Sequence, residues 1–211
     1  MNHKLPVSSY FDNEAKNWDD DPKHMDRALQ TYSEINNNIK IENTFKCFEF
    51  GCGTALLSIM FYNDVSEISV YDNSKGMIAE VVNKITLHNL NRMKIIDEDD
   101  FQHGQKIENK FDLIYTIMTL HHLPKIEDYI NKFSKMLKNN GYLCIGDLLR
   151  EDGTFHQEHK DFVGYNGFEP NDIVKIGNEV NLDKHYLNNY YGTKKNGINY
   201  QMFMLILKKR I

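Results

Sequence analysis

The chain of 211 residues carries 25 basic and 30 acidic side chains, for a net charge of −5. No overall cationic field exists to gather nucleic acid or anionic membrane, so binding driven by bulk charge is excluded as the main activity. With 41% hydrophobic and 26% charged residues, the length suits one α/β domain with a full core.

The three cysteines, Cys47, Cys52 and Cys144, cannot all pair and lack metal-ligand spacing. Two of them fall in apolar runs that read as core strands, which suits a reducing compartment. The first residues lack the charged-then-apolar pattern of a signal peptide, and the longest apolar run, 202–207, is too short to span a bilayer. A cytoplasmic monomer or homodimer without membrane insertion is expected.

In chain order, residues 9–20 are polar and aromatic. An amphipathic stretch follows from Pro22 to about Lys40, with Met25, Ala28, Leu29, Tyr32, Ile35 and Ile39 at the spacing of one helical face. Residues 45–50 form a short apolar run interrupted by Glu49 and closed by Gly51, and 54–62 have helical spacing. The pattern predicts strand, glycine turn and helix, with Thr54 as the helix cap. Gly51 and Gly53 let the backbone turn tightly and let a ligand approach the helix amides, although such glycines also mark ordinary turns. Glu49, at the strand end, needs a cationic or hydrogen-bonding partner if buried. Asp72 closes the apolar run 68–71, nineteen residues beyond Gly53, where a carboxylate can accept both hydroxyls of a ribose. Two acids and a glycine turn make a candidate adenosine site.

A helix is predicted over 75–88, burying Met77, Ile78, Val81, Val82 and Ile85, and a third strand over 92–96. That strand runs into Asp97-Glu98-Asp99-Asp100, either a solvated turn or the ligand edge at the C-terminal end of a parallel strand. Residues 111–117 are nearly all apolar and predict a central strand buried on both faces. Thr116, Thr119 and the pair His121-His122 stand at its C-terminal edge. Adjacent histidines are expected to diverge, so they are not expected to share a metal. An imidazole here is a capping or packing group, or a base taking a proton from a substrate hydroxyl or amine.

A helix over 126–137 is stopped by Asn139-Asn140-Gly141 and followed by a strand over 142–148, which carries Asp147 near its end. The loop-rich segment after it, containing His156 and Tyr165, is expected to set substrate choice. His156, His159 and Asp147 lack the spacing of a recognised metal site, and no metal is expected. A helix from Pro170 to about Val180 precedes strands over 184–191 and 199–208, with Asn196-Gly197 as the hairpin signal.

The runs Glu49-Phe50-Gly51-Cys52-Gly53-Thr54, Val70-Tyr71-Asp72, Phe111-Asp112-Leu113-Ile114 and Leu120-His121-His122-Leu123, in this order, resemble the class I S-adenosylmethionine-dependent methyltransferases. The similarity is to the small-molecule group that includes the ubiquinone/menaquinone biosynthesis type enzymes, and it covers most of the chain. It implies an α/β, Rossmann-like doubly wound fold: a mainly parallel seven-stranded sheet with a C-terminal antiparallel hairpin and an N-terminal helical lid. It further implies one domain over 1–211, divided into lid and helix (1–44), cofactor-binding core (45–150), substrate-side loop and helix (151–182) and hairpin (183–211).

The implied cofactor is S-adenosylmethionine, with S-adenosylhomocysteine as product. Its implied contacts are Glu49, Gly51, Cys52, Gly53, Asp72 and Thr116, with Asn73 and Met77 beside the ribose and adenine. Asp97 would accept from the adenine amino group and the Glu98 amide would meet the ring, a shift to Asp99 being open. Tyr10 and Phe11 resemble the lid over the substrate mouth, or else anchor a terminal helix to the core. Leu56 holds the last glycine position of the dinucleotide fingerprint, which counts against an NAD-dependent oxidoreductase. Thr116-Ile117-Met118-Thr119 stands where similar enzymes acting on nucleic-acid or protein amides carry Asn/Asp-Pro-Pro-aromatic, so a small-molecule acceptor is implied and no nucleic acid. His121, His122 and Asp147 are the candidate catalytic groups. A non-catalytic domain that binds the methyl donor, with its substrate pocket blocked, is the alternative.

Overall fold

The computed structural model describes residues 8–103, 107–158 and 162–211. Strand alternation decides how its layers form. Strand β1 (Lys46–Phe50) sends Phe48 and Phe50 into one apolar cluster and Cys47 into another on the opposite face. Strand β7 (Ile198–Lys209) does the same with Phe203, Leu205 and Leu207 against Met204 and Ile206. A strand apolar on both sides must be covered on both sides, which is the condition for a doubly wound sheet.

The remaining strands are β2 (Glu67–Tyr71), β3 (Met93–Ile95), β4 (Phe111–Ile117), β5 (Leu137–Leu148) and β6 (Leu182–Lys195). They form a seven-stranded sheet in the order β3-β2-β1-β4-β5-β7-β6, parallel as far as β5 and antiparallel where β7 meets β5 and β6. One face is covered by α2 (Pro22–Asn38), α3 (Leu56–Phe61) and α4 (Lys75–His88), through Ala28, Ile35, Leu57, Phe61 and Val81. The other is covered by α5 (Glu98–His103), α6 (Ile126–Met136) and α7 (Pro170–Glu179), through Phe101, Ile130, Phe133 and Ile173. Each such Ile, Leu, Val or Phe side chain, fully buried, contributes roughly 1.5–3 kcal/mol. The three cysteines are buried and unpaired. Among the described residues, no helix is long and apolar enough to cross a membrane.

The mainly parallel sheet, the closing antiparallel hairpin and the N-terminal helical cover agree with the expected architecture. At the hairpin, Asn196 and Gly197 take φ of +51° and +82°, the pair of positive values that a two-residue turn matching strand twist requires. Three local expectations are corrected. Helix α3 starts at Leu56 with Ala55, at φ +61°, in the N-cap position, so Thr54 lies one residue too early to cap and its hydroxyl donates to Asp19 Oδ1 at 2.6 Å. Residues 98–100 enter α5 rather than forming a solvated turn, with Asp97 Oδ1 accepting from the Asp100 amide at 2.8 Å. Strand β5 begins at Leu137, before the Asn-Asn-Gly signal, because Leu137 pairs with Phe111 and the register shift between Phe111 and Leu113 absorbs the irregularity at Asn140.

The N-terminal cover is α1 (Ser8–Glu14) and a 3-10 segment (Ala15–Asp20). It is latched at two points. Asp12 Oδ1 accepts from Ser74 Oγ at 2.7 Å and from the Gly76 amide at 2.8 Å, at the start of α4. Asp19 binds Thr54 and, at 2.5 Å, the Lys84 ammonium.

Candidate active site

Strand order reverses between β1 and β4, and an open α/β sheet binds its ligand in the crevice at such a switch point. Here the crevice is a cavity of about 1630 Å³, above the roughly 300–1,000 Å³ of a site for one drug-sized ligand. It has room for a cofactor and a second molecule.

The strand ends supply one wall. Gly51 sits at φ +70°, its amide donating to Tyr71 O at 2.8 Å, and a Cβ placed on it would lie 2.3 Å from Thr119 Cγ2. The close approach of the β1 and β4 loops therefore requires glycine. Gly53, at φ +53°, donates its amide to Asp72 Oδ2 at 2.8 Å, while Asp72 Oδ1 accepts from the Ser74 amide at 2.9 Å. Backbone donors thus hold both Asp72 oxygens in place, and the carboxylate keeps acceptor capacity for a ligand. Burial pushes the Asp72 carboxyl above the usual range, and the backbone donors pull it back.

Glu49 is buried at the end of β1 and projects to the α3 side, where Ser58 donates to its Oε2 at 2.5 Å and Ser58 Oγ also meets the Tyr115 hydroxyl at 2.8 Å. Loss of hydration pushes its pKa up to about 8, against the Ser58 hydrogen bond. The hydrogen-bonding partner that the sequence demanded is Ser58, on the first helix after the glycine loop. At the edge of β3, Asp97, Glu98 and Asp99 are all exposed, and of the three only Asp97 and Glu98 line the cavity. The Glu98 carboxylate takes the Tyr71 hydroxyl in a short hydrogen bond, and burial is the main cause that raises the Tyr71 pKa.

The opposite wall comes from the β4 loop and the segment after β5. His121 and His122 lie in a 3-10 turn at Leu120–His122. Asp147, on β5, is fully buried and accepts the Leu148 amide at 2.8 Å, the His121 amide at 3.3 Å and the His121 Nδ1 at 2.6 Å. Because that carboxylate faces donors only, Nδ1 carries the proton and Nε2 keeps the lone pair. His121 Nε2 is buried with no hydrogen-bond partner among the described residues. His156 also lines this wall, stacked on Phe162 with ring centroids 3.8 Å apart.

Of the residues expected from the sequence, Glu49, Gly51, Cys52, Gly53, Asp72, Asn73, Met77, Asp97, Glu98, Tyr10, Phe11, His121, His122 and His156 share this cavity. Three do not line it. Thr116 is buried within β4, and Thr119, three residues on, takes its place at the wall. Tyr165 packs on Phe168, with ring centroids 5.1 Å apart, and its amide donates to His121 O at 2.7 Å, so it pins the loop. Asp147 acts on the cavity only through His121. The adjacent histidines do not diverge as expected, since the 3-10 turn brings their ring centroids within 4.1 Å. His159 lies outside the described residues.

Sequence reading missed Trp18 and Arg27, and it named Thr119 at the strand edge without assigning it a contact. Arg27 lines the cavity from α2 and makes no hydrogen bond or ion pair among the described residues, and burial lowers its pKa. Its one sequence signal is a cation beside the apolar face of an amphipathic helix.

Residues 48–143 match the family model described as a methyltransferase domain. An uncharacterized methyltransferase of Schizosaccharomyces pombe is 28% identical over 179 residues, covering 76% of this chain, which spans 63% of that relative's length. The Haemonchus contortus phosphoethanolamine N-methyltransferase 2, solved with phosphomonomethylethanolamine and S-adenosylhomocysteine, superposes with a TM-score of 0.73 at 11% identity, over 87% of this chain and 53% of that one. A geranyl diphosphate C-methyltransferase from Streptomyces coelicolor, solved with Mg²⁺, geranyl diphosphate and S-adenosylhomocysteine, gives 0.70 at 8% identity, over 84% and 77%. The fold and the matched segment together define the class. Residues 48–143 are similar to a methyltransferase domain, and the chain has the Rossmann-like fold of these enzymes.

Proposed function

We propose that this protein is an S-adenosylmethionine-dependent methyltransferase that moves a methyl group to an O, N or C nucleophile of a small molecule. The observation that carries the reading is one cavity with two chemically distinct ends. The glycine loop, Asp72, Asp97 and Glu98 stand at one end, and His121 held by Asp147 stands at the other.

The residues fit the cofactor. The loop at Gly51 has no room for a side chain, the backbone-held Asp72 carboxylate keeps acceptor capacity, and Glu49 is a buried carboxyl suited to meet a cation. Asp72 and Asn73 would hold the ribose, Met77, Asp97 and Glu98 the adenine, and Glu49, Cys52 and the glycines the amino-acid end. When bound, the cofactor supplies a methyl made electrophilic by its sulfonium. The chain's part is to orient a nucleophile and exclude water. The latched N-terminal cover, with Tyr10, Phe11 and Trp18 on the cavity wall, excludes water. His121 is the catalytic residue on the acceptor side and Asp147 its positioning residue. An imidazole so fixed activates a nucleophile by accepting its proton or by carrying a metal ion that binds it.

Names of relatives support the reading: the yeast relative is described as a methyltransferase, and the two structural neighbours hold S-adenosylhomocysteine with small substrates. Tyr10 and Phe155 line the cavity rather than fill it, which speaks against a non-catalytic domain with a blocked pocket. The same reading has the chain act as one domain in the cytoplasm. Calorimetric titration with S-adenosylhomocysteine and, separately, NAD tests it on wild type and on Asp72→Ala. Binding of the thioether nucleoside that weakens in the variant supports it. No binding, or preference for NAD, would sink it.

A further inference from the structure

We propose that His121, His122 and His156 form a binding site for a divalent transition metal, zinc or a close relative, at the acceptor end of the cavity. The inference rests on the methyltransferase reading for its purpose and on the geometry of the three histidines for its existence. One ring nitrogen of each lies within 4.8 Å of the others. The ring centroids are 4.1, 5.0 and 5.3 Å apart for the pairs 121–122, 121–156 and 122–156. The first two residues come from the loop after β4 and the third from the segment after β5, so no spacing in the sequence reveals the group.

Three features point to a metal rather than to a packing cluster. A metal-ligating histidine almost always donates its second ring nitrogen to a carboxylate or carbonyl, which fixes the tautomer and orients the ligating nitrogen. His121 Nδ1 does this toward Asp147 at 2.6 Å, and its Nε2 is buried and unpartnered among the described residues. Charge also fits. The fully buried Asp147 carboxylate stands directly behind the first ligand, while the wider cavity wall carries both acids (Glu14, Glu158) and bases (Arg27, Lys194, Lys195). Finally, three imidazoles that face a cavity leave an open coordination position, the arrangement of catalytic rather than structural zinc. Zinc–nitrogen bonds of about 2.0–2.1 Å place tetrahedral ligands about 3.4 Å apart, so the widest pair closes by about 1.4 Å, a shift within reach of rotation about the side-chain bonds.

Imidazole ligands suit Zn²⁺, Cu²⁺, Fe²⁺ and Ni²⁺ and not Mg²⁺ or Ca²⁺. A hydroxyl or thiol of the acceptor in the open position loses its proton to water at lower pH, because the metal stabilises the anion. The oxygen or sulfur lone pair then forms the new bond to the methyl carbon as the carbon–sulfonium bond breaks. The acceptor class deepens accordingly to small molecules with an acidic oxygen or sulfur nucleophile.

The test strips the full-length protein with a chelator, then titrates it with Zn²⁺ by calorimetry and with Co²⁺ by visible absorption, with S-adenosylhomocysteine titrated in parallel. The expected result is one metal per chain and the ligand-field bands of tetrahedral cobalt without thiolate charge transfer. Asp147→Asn is expected to weaken zinc binding about 10–100-fold, and His156→Ala, in a loop outside the sheet, at least as much with S-adenosylhomocysteine affinity kept. No cobalt spectrum, or zinc binding unchanged in both variants, overturns the site. If S-adenosylhomocysteine still binds in that case, the methyltransferase reading stands and His121 acts as a proton acceptor. If metal binds as expected but S-adenosylhomocysteine does not, the methyltransferase reading fails and the histidine site stands.

Discussion

Replacing Glu49 by glutamine tests the electrostatics of the glycine loop most directly. The carboxyl lies against Ser58 and Tyr115 in the interior, and burial moves its pKa from the ordinary 4.5 to about 8. Below about 4.5 the group is neutral in both folded and unfolded chains and costs nothing. Between the two values the unfolded chain ionises while the folded one holds its proton, so stability falls as pH rises, and above about 8 the cost is constant. The full excursion is about 5 kcal/mol, of which about 2–3 kcal/mol falls between pH 6 and 9. Urea unfolding of the ligand-free protein at pH 6, 7.5 and 9 measures it. Wild type should lose that stability across the series, and Glu49→Gln, which keeps an acceptor for Ser58, should lose about 2–3 kcal/mol less. Parallel pH profiles for the two proteins would refute the reasoning. A ligand that brings a cation to Glu49 should also drive its proton off, so binding near pH 7 should release protons in wild type and not in the variant.

Gly51→Ala places a Cβ 2.3 Å from Thr119 Cγ2 on a backbone at φ +70°. It should cost about 3 kcal/mol, by left-handed strain and overpacking together, and adding Thr119→Ala should recover part of that in thermal unfolding. Simple additivity of the two changes would count against the contact. Arg27→Met removes a cation that lines the cavity from α2 and should raise KM about 10-fold or more for acceptors bearing a carboxylate or phosphate, with S-adenosylhomocysteine affinity kept. An equal effect on neutral acceptors would contradict an anion-binding role. Asp19→Asn cuts the latch to Thr54 and Lys84. The latch is partly exposed, so global stability should fall by less than about 1 kcal/mol, while limited proteolysis of the N-terminal segment should speed up. A protected segment would show that Asp12 holds the cover alone.

Much of the fold was legible because strand periodicity and turn chemistry are local. Helix α4 and strand β4 fall where the pattern placed them, and Asn196-Gly197 makes the expected turn. Boundaries moved at α3 and β5. The first turn of α3 begins one residue beyond the reach of Thr54, whose hydroxyl instead donates to Asp19, thirty-five residues earlier in the chain. Strand β5 outran its stop signal because Phe111 was there to pair with Leu137. The cofactor end of the site was legible for the same local reason: its glycines and acids follow directly on strand ends. The acceptor end was less so, since Thr116 and Thr119 differ only in where the strand stops, and Tyr165 packs on Phe168 and hydrogen-bonds the loop after β4 through Pro124 and His121.

The sequence by itself determined the order of the strands and of the helices other than α5, the glycine turn after β1 and the acids at the ends of β1 and β2, because each depends on residues within a few positions of one another. Only the tertiary structure decided that Asp147 would fix the ring of His121 and that His156 would join His121 and His122. Those groups are tens of residues apart, and what brings them together is the pairing of β4 beside β5 and the path of the loop that follows.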